Sequence, residues 1–354
     1  MAAIVDTPEE ARALERAPLL VRRPLEAFMD ARGLGSGRLG AEPIGEGHSN
    51  VTFLIERGGE RWVLRRPPRP PLPPSAHDVL REARLLDAIR ATPVRAPRVV
   101  ATCKDESVIG APFYVMDQVR GDVLTTAVPE PLDTEAERRR IAHQLLDALV
   151  DLHAVDWRAC GLDGYGKPTG YLERQLRRFS GLWEHNRTRE LPTLARVAAW
   201  LGEHRPESPD ATIVHGDYRL GNTMFAPAAP ARLVAIFDWE LATIGDPLAD
   251  VGYLVATWSQ PGDPDDVPFA FDGVTRRPGF PTREELIGRY EAATGRSMSD
   301  LRWYATLALW KAAVFLEGSY KRRLAGTTDD AFFDTLEAGV PAIAERAWAM
   351  SQGA

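Results

Sequence analysis

Three side chains whose oxygen atoms can bind a metal ion or a proton follow two apolar, strand-like runs in the second half of the sequence. Asp217 and Asn222 lie five residues apart in the pattern His-Gly-Asp-x-x-x-x-Asn, and Asp238 ends the apolar run of residues 234–237. Phosphoryl transfer needs a carboxylate beside the attacking hydroxyl and separate hard oxygen ligands for Mg²⁺. A loop with this spacing can direct one side chain to a substrate and the other to a metal ion. The two motifs together predict Mg²⁺-dependent phosphoryl transfer, whereas either one alone would also fit an Asx residue that caps a turn.

The segments around these residues resemble a known family. HGDYRLGN at residues 215–222 and IFDWELATIGDPLAD at residues 236–250 look like the aminoglycoside phosphotransferase/choline kinase superfamily, where Gly and Trp replace the Arg and Phe of the protein-kinase motifs. The resemblance covers most of the chain, roughly residues 24–325. It implies an α+β, two-lobed protein-kinase-like fold. A small mixed β-sheet N-lobe (residues 1–119) would bind nucleotide, and a mainly helical C-lobe (residues 120–354) would carry catalysis and substrate binding.

The same resemblance implies roles for polar residues of the C-lobe. Asp217 is the expected catalytic carboxylate, and Asn222 and Asp238 are the expected Mg²⁺ ligands. Arg219 stands where protein kinases have a catalytic-loop lysine and could neutralise the transferring phosphoryl group. Alternatively, Arg219 is an exposed cation that pairs with an acid. We expect His215 to hold the loop by hydrogen bonds rather than to act as a base.

Residues of the N-lobe are expected to hold the nucleotide. Gly45, Gly47 and Ser49 lie between two β-like runs, as in a glycine-rich hairpin, where small side chains let backbone N–H groups approach phosphates closely. In the resemblance, Arg65 takes the place of the strand lysine that holds the α- and β-phosphates, and Glu82 in the next helix is its ion-pair partner. Arginine and lysine differ in reach and geometry, which bears on nucleotide affinity.

The run of residues 113–119 resembles the strand that leads into an adenine-binding hinge. Backbone groups of Asp117 and Val119 are expected to meet the adenine edge. Met116 is expected to line the pocket, a role that is compatible with ordinary core packing. Arg66 should point to the opposite face from Arg65, because side chains alternate along a strand. These residues predict ATP and Mg²⁺ as cofactors.

Hydrophobic periodicity and turn residues predict the elements that position these groups. Before residue 120, β-like runs cover residues 39–45, 51–56, 61–66, 98–102 and 113–118, and helices cover residues 20–30 and 76–91. After that, helices are predicted at residues 134–155, 169–186, 191–205, 282–294 and 299–324, with short strands at 212–214 and 233–237. A Gly-Gly turn should join the second and third runs as a hairpin, and Thr134 should cap a helix. Asp246 and Asp250 resemble family positions that brace the catalytic loop.

The composition of the chain bears on which partners it binds and where in the cell it is expected. The 354 residues carry a formal net charge of −7, which argues against nucleic acid as a partner. Cys103 and Cys160 lack a metal-binding or redox spacing and are expected to pack as free thiols. The N-terminal segment is acidic without an apolar signal core, and no apolar stretch reaches the length of a membrane span. These features favour a cytoplasmic protein that does not bind membranes.

We therefore expect an ATP-dependent kinase that transfers the γ-phosphoryl group to a hydroxyl of a small metabolite. The alternatives are an aminoglycoside 3'-type phosphotransferase and a nucleotide-binding pseudokinase, although a binding module has no need of Asp217. A protein kinase is not expected, because the sequence has no Ala-Pro-Glu motif and no room for an activation loop after Asp238.

The basic character of residues 301–325 predicts an anionic acceptor. The segment contains one acidic residue, Glu317, and five cationic residues, namely Arg302, Lys311, Lys321, Arg322 and Arg323. Polycationic aminoglycosides would instead need carboxylates here. This run and VLRRPP at residues 63–68 also resemble the kinase-like domains fused to acyl-CoA dehydrogenases, which implies a hydroxylated acid or acyl-CoA as acceptor. The alternative is a solvated helix face or pairing with Asp329 and Asp330.

Overall fold

The computed structural model describes residues 4–44, 50–70, 77–263, 273–326 and 331–353. The chain forms two compact units. The first consists of Met1–Thr92 and Ala96–Arg120, and the second consists of Pro93–Arg95 and Gly121–Ala354. The main division therefore falls one residue beyond the boundary expected from the sequence, and a short segment before it joins the second unit. The assignment of nucleotide binding to one unit and catalysis to the other stays a prediction.

The first unit is built on a five-stranded antiparallel sheet. Its opening elements are β1 (Ile4–Val5), α1 (Pro8–Arg12), β2 (Leu20–Val21) and α2 (Arg22–Asp30), with β1 and β2 paired in parallel. The sheet and its helix comprise β3 (Gly40–Ile44), β4 (Val51–Arg57), β5 (Glu60–Arg66), α3 (Val79–Ile89), β6 (Val99–Cys103) and β7 (Phe113–Asp117). The strand order is β3-β4-β5-β7-β6.

Turn chemistry and alternating burial explain this sheet. Gly58 and Gly59 have φ of +60° and +84°, as a tight two-residue hairpin between β4 and β5 requires. Alternate strand residues such as Phe53 and Leu64 enter an apolar core, which α2 covers with Phe28 and neighbouring side chains. Burial of this face fixes the strand register, because a slip by one residue would expose the apolar side chains.

The second unit is mainly helical. Its first elements are β8 (Asp122–Val123), α4 (Glu135–His153), α5 (Tyr171–Asn186), α6 (Pro192–Glu203), β9 (Thr212–Val214), β10 (Thr223–Phe225), β11 (Leu233–Ile236) and β12 (Thr243–Gly245). They are followed by α7 (Leu248–Thr257), α8 (Arg283–Thr294), α9 (Leu301–Leu324) and α10 (Leu336–Gln352). Strands β11, β10 and β8 form one antiparallel sheet in that order, and β9 pairs with β12.

Helix α9 lies at the centre of the helical packing and contacts α5, α6, α7 and α10. It meets α7 closely at Gly252, where an added Cβ would lie 2.6 Å from the Tyr304 backbone. The fully buried carboxylate of Glu317 accepts hydrogen bonds from Thr188 and Arg189, which ties the α5–α6 connection to α9. Residues on several sides of α9 are therefore fixed by neighbouring helices.

Most of the predicted elements are present, with ends that differ by a few residues. Strand β9 has the predicted bounds, and the Thr134 side chain accepts a hydrogen bond from a backbone N–H in the first turn of α4. The helix predicted to begin at Leu20 begins two residues later, because Leu20 pairs with β1. Strands β1, β8, β10 and β12 and helices α1 and α10 were not predicted, and no bounds were predicted for α7. Cys103 and Cys160 are free thiols, as expected.

Candidate active site

The catalytic loop begins where β9 ends, and His215 holds it in place. Its buried ring donates a hydrogen bond from Nε2 to the carbonyl oxygen of Phe237, over 2.8 Å. Because Nε2 is the donor, Nδ1 can accept the backbone N–H of Asp217, at 3.3 Å. His215 therefore links the loop to the segment that carries Asp238, which agrees with the positioning role expected for it.

A buried carboxylate on α7 braces the same loop. Asp250 is fully buried and accepts the backbone N–H groups of His215 and Gly216, each at 2.7 Å. It also lies 3.2 Å from Nε2 of His153, whose Nδ1 is 2.7 Å from the Tyr290 hydroxyl. A charged acceptor on two backbone donors gives strong hydrogen bonds, and these fix the start of the loop.

Two further contacts restrict the conformation of this loop. Gly216 has a φ of +88°, and an added Cβ would lie 2.9 Å from the Cβ of Leu241, so a side chain here would be both strained and crowded. The buried Tyr218 hydroxyl donates to the carbonyl oxygen of Leu145 on α4, at 2.6 Å, and burial raises the pKa of Tyr218 well above its usual value. The loop is thus anchored to two helices.

In the described part of the chain, the hydrogen bonds of Asp246 lie outside the catalytic loop. One of its carboxylate oxygens accepts the hydroxyl of Tyr304 on α9, at 2.7 Å, and the other accepts the backbone N–H of Leu248. Burial raises the pKa of Asp246 above its usual value. This residue therefore joins the start of α7 to α9. The sequence resemblance implied bracing contacts for both carboxylates, and among the described residues Asp250 makes them.

Asp217 and Asn222 contact each other directly. The amide nitrogen Nδ2 of Asn222 donates to the carbonyl oxygen of Asp217 at 2.8 Å and to its side-chain Oδ2 at 2.7 Å. These two bonds fix the amide orientation and leave Asn222 Oδ1 as a hard oxygen that can bind a cation. The other carboxylate oxygen of Asp217, Oδ1, is shielded from solvent and has no hydrogen-bond partner among the described residues.

Arg219 lies beside the carboxylate rather than bonded to it. Its Nε is 3.9 Å from Asp217 Oδ1, which is an ion-pair distance but too long for a hydrogen bond. The Arg219 side chain is 18% exposed, so it is less exposed than the alternative interpretation expects. It does lie beside an acid, Asp217, as that interpretation requires.

Asp238 follows β11 in an unusual backbone conformation. Its φ of +63° and ψ of +58° lie in the left-handed region, which Asp tolerates better than most residues, and a short 3₁₀ turn, Trp239–Leu241, follows. The backbone N–H of Phe237 donates to the carbonyl oxygen of Asn222, at 2.8 Å. Because these two segments are hydrogen-bonded neighbours, Asn222 and Asp238 occupy adjacent positions at the ends of paired strands.

The oxygen donors of these residues suit Mg²⁺. No group of three or more His, Cys, Asp or Glu side chains able to hold a metal ion occurs within the described residues. Mg²⁺ does not need such a cage, because it is commonly held by one or two protein oxygens together with phosphates and water. One carboxylate from Asp238 and one amide oxygen from Asn222 form a donor set of this kind.

In the first unit, Arg65 and Glu82 form a buried ion pair. Nε of Arg65 on β5 lies 3.0 Å from Oε2 of Glu82 on α3, and the two side chains are 14% and 3% exposed. Arg66 points the other way and donates to the carbonyl oxygens of Leu19 and Ile109. Gly45, Gly47 and Ser49 lie outside the described residues. The nucleotide-binding roles of all these residues stay predictions.

The predicted hinge residues lie at the end of β7. Met116 is buried in the sheet, opposite Val63 of β5, and Val119 is half-buried beyond the strand. The backbone N–H of Asp117 already donates to the carbonyl oxygen of Arg98, at 2.9 Å. Any adenine contact from the Asp117 backbone would therefore have to use its carbonyl oxygen.

The buried chain of contacts Asp250–His153–Tyr290 was not predicted from the sequence, apart from Asp250. Its members are separated by 97 and 137 residues, so no local pattern joins them. Only the position of Asp250 after Asp238 gave a signal.

No helix in the part of the chain described here has the length and apolar character that crossing a membrane requires.

Comparison with known proteins identifies the family. The Phosphotransferase enzyme family matches residues 40–304. Acyl-CoA dehydrogenase family member 11 of Gallus gallus is 34% identical over 299 residues, which cover 82% of this chain and 38% of that protein. Family member 10 of Mus musculus is 34% identical over 305 residues, covering 85% of this chain and 28% of that protein. The chain thus spans well under half the length of these curated relatives.

Solved structures share the fold. A candidate aminoglycoside phosphotransferase from Ralstonia eutropha is 33% identical, with a TM-score of 0.79 over 93% of this chain and 98% of that one. An aminoglycoside phosphotransferase in ternary complex with AMP-PNP and hygromycin B is 16% identical, with a TM-score of 0.61 over 94% of this chain and 100% of that one. The predicted two-lobed, protein-kinase-like α+β fold and the phosphotransferase class are confirmed. The chain belongs to the phosphotransferase enzyme family.

Proposed function

We propose that this chain is an ATP-dependent kinase that transfers the γ-phosphoryl group to a hydroxyl of a small anionic metabolite. The observation that carries this proposal is the solvent-shielded Oδ1 of Asp217, which takes no hydrogen bond from the described residues. A buried carboxylate oxygen without a donor is costly unless a ligand supplies one. An acceptor hydroxyl is such a donor, and Asn222 holds the other oxygen of the same carboxylate.

The residues of the loop then have complementary roles. The acceptor hydroxyl donates a hydrogen bond to Asp217 Oδ1, which takes the proton as the acceptor oxygen bonds to the γ-phosphorus and ADP leaves. Arg219, at 3.9 Å from that oxygen, stabilises the negative charge on the transferring group. His215 and Asp250 keep the loop in the geometry that places the base, and this positioning supports the rate without any contact to substrate.

ATP and Mg²⁺ are the proposed cofactors. When bound, Mg²⁺ would neutralise negative charge on the phosphates, and Asn222 Oδ1 and the Asp238 carboxylate are the ligands that this chain offers. In the first unit, Arg65 is proposed to hold the α- and β-phosphates, and its ion pair with Glu82 is proposed to position it. The AMP-PNP named in a structural neighbour supports a nucleoside triphosphate as donor.

The acceptor is proposed to be a hydroxylated acid or hydroxyacyl-CoA. The curated relatives carry acyl-CoA in their names, and α9 is rich in cations. An aminoglycoside acceptor is the second candidate, because a structural neighbour binds hygromycin B. A polycation would meet unfavourable charge along α9, which favours the anionic acceptor.

A turnover screen tests this function. The protein would be incubated with Mg·ATP and a panel of hydroxyacyl-CoAs, hydroxy acids, aminoglycosides and neutral alcohols, and phosphorylated products would be identified by mass spectrometry. We expect phosphorylation of anionic hydroxylated compounds and little of kanamycin-like ones. Efficient turnover of aminoglycosides with none of hydroxyacyl compounds would refute the proposed acceptor. Mg·ATP binding without any transfer across the panel would favour a pseudokinase.

A further inference from the structure

Two cations lie close to one aromatic ring in the second unit. Nζ of Lys311 on α9 is 4.8 Å from the ring centroid of Phe179 on α5, and the guanidinium carbon of Arg178 is 5.9 Å from the same centroid. Both distances are within the range of a cation–π interaction. Attraction to the Phe179 ring therefore partly offsets the repulsion between the two positive charges.

Lys311 and Arg178 differ from the other cations of α9, of which Arg302 is exposed beside the Trp200 ring and the remaining three have polar partners. Lys321 donates to the carbonyl oxygen of His185, Arg322 donates to a serine hydroxyl, and Arg323 pairs with Asp334. By contrast, the described residues provide no hydrogen bond and no ion pair for Lys311 or Arg178. A half-buried ammonium group with only an aromatic ring beside it lacks the anion that normally accompanies a buried charge.

Lys311 is also electrostatically linked to the catalytic loop. Burial, together with the nearby charge of Arg178, lowers the pKa of Lys311 to about 8. The carboxylates of Asp250 and Asp217 act in the opposite direction, so the field of the proposed base reaches this ammonium group. An anionic group of a molecule whose hydroxyl meets Asp217 would therefore be attracted towards Lys311.

An apolar surface adjoins the cations. Phe315 lies one helical turn after Lys311 on α9 and is 45% exposed. Its ring packs edge-on against Phe179, with the centroids 5.6 Å apart. Exposed aromatic surface next to an unpaired cation suits a ligand with both an oxyanion and an alkyl or acyl portion.

We propose that Lys311 and Arg178 form an oxyanion subsite of the acceptor site, which binds a carboxylate or phosphate of the acceptor while its hydroxyl meets Asp217. This inference rests on the proposed function for the position of the hydroxyl, but the subsite itself can be tested by binding alone. It names which cations of α9 act, and it adds Arg178, which lies outside the basic run.

The test is a calorimetric titration with three probes, namely 3-hydroxyoctanoate, its CoA thioester and its neutral methyl ester. We expect wild type to bind at least one anionic probe about tenfold or more tightly than the ester. Lys311→Met and Arg178→Leu should each remove most of that preference and leave ester binding unchanged. A preference for the free acid indicates a carboxylate in the subsite, and a preference for the thioester alone indicates the CoA phosphates.

Matched controls separate this role from general charge. Lys321→Met on the same helix and Arg177→Leu, which removes the neighbouring pair with Glu173, should keep the wild-type preference. Equal affinity of wild type for all three probes would overturn the proposal, as would an unchanged preference in both test variants. Binding is measured here without turnover. If wild type prefers an anionic probe to the ester but transfers no phosphoryl group, the proposed function is refuted and the subsite is still supported.

Discussion

Replacing Lys311 by methionine should make the protein more stable, although it removes a residue that we propose to be functional. Methionine keeps the apolar stem and removes the ammonium group. That group is half-buried beside Phe179, and burial lowers its pKa from an ordinary value of 10.5 to about 8. A lowered lysine pKa means that the folded state disfavours the charged form. The charged lysine therefore lowers the free energy of unfolding, as functional residues at binding sites commonly do.

The size of the effect follows from the difference between the two pKa values. A difference of about 2.5 corresponds to an upper limit of about 3 kcal/mol, at about 1.4 kcal/mol for each pH unit. Because part of the side chain meets solvent, screening reduces this figure, and lost cation–π attraction offsets some of it. We expect Lys311→Met to raise the free energy of unfolding at pH 7 by about 1–2 kcal/mol.

The pH dependence of stability is a second test of the predicted stabilisation by Lys311→Met. Below pH 8 the lysine is protonated in both states, and the folded state bears the full cost of the buried charge. Between pH 8 and 10.5 the folded state loses the proton while the unfolded state keeps it, so wild type gains stability relative to the variant. The advantage of Lys311→Met should therefore be largest at neutral pH and shrink as the pH rises towards 10.5.

Urea denaturation of wild type, Lys311→Met and Lys321→Met at pH 7 and pH 9.5 would measure this. Groups that titrate in all three proteins cancel in the comparison. Lys321→Met, which removes a cation that already donates to a backbone carbonyl, should show no such gain. A Lys311→Met protein that is less stable than wild type at pH 7, or an advantage independent of pH, would refute the reasoning.

Three further substitutions test the rest of the site. Asp250→Asn turns an amide NH₂ towards a backbone donor of the loop and should cost about 3 kcal/mol by urea denaturation; an unchanged midpoint would contradict the bracing role. Asp238→Ala should abolish the Mg²⁺-dependent part of the thermal shift with ATP, and a shift equal to wild type would argue against metal ligation. Arg65→Ala should raise the Michaelis constant for ATP about tenfold, whereas Arg61→Ala, an exposed control on the same strand, should not; equal constants would remove Arg65 from the nucleotide site.

Local sequence signals were sufficient where one short segment determines the structure. The glycines between β4 and β5 need positive φ, and Thr134 is followed by the backbone donors that it caps. No bounds were predicted for α7, because this helix is apolar almost all round and lacks the stripe that marks an amphipathic helix. Two-residue strands such as β1 form only because a distant partner is present.

The site shows the same division between local and distant information. The spacing of Asp217 and Asn222 indicated their chemistry, and the structure adds the contact between their side chains. The sequence could count the cations of α9 but could not tell which ones already have partners. Lys321 meets His185 across 136 residues, and no local pattern carries that contact. Lys311 is distinguished from Lys321 by tertiary packing alone.

The most direct test of the central claim compares wild type with Asp217→Asn. Asparagine keeps an oxygen that can accept the Asn222 hydrogen bond, but its amide group cannot take the proton of an acceptor hydroxyl. With the best hydroxylated acceptor and Mg·ATP, we predict that the variant loses at least about 10²-fold in turnover while its thermal shift with Mg·ATP stays that of wild type. Turnover equal to wild type on that acceptor would contradict the claim that Asp217 is the catalytic base.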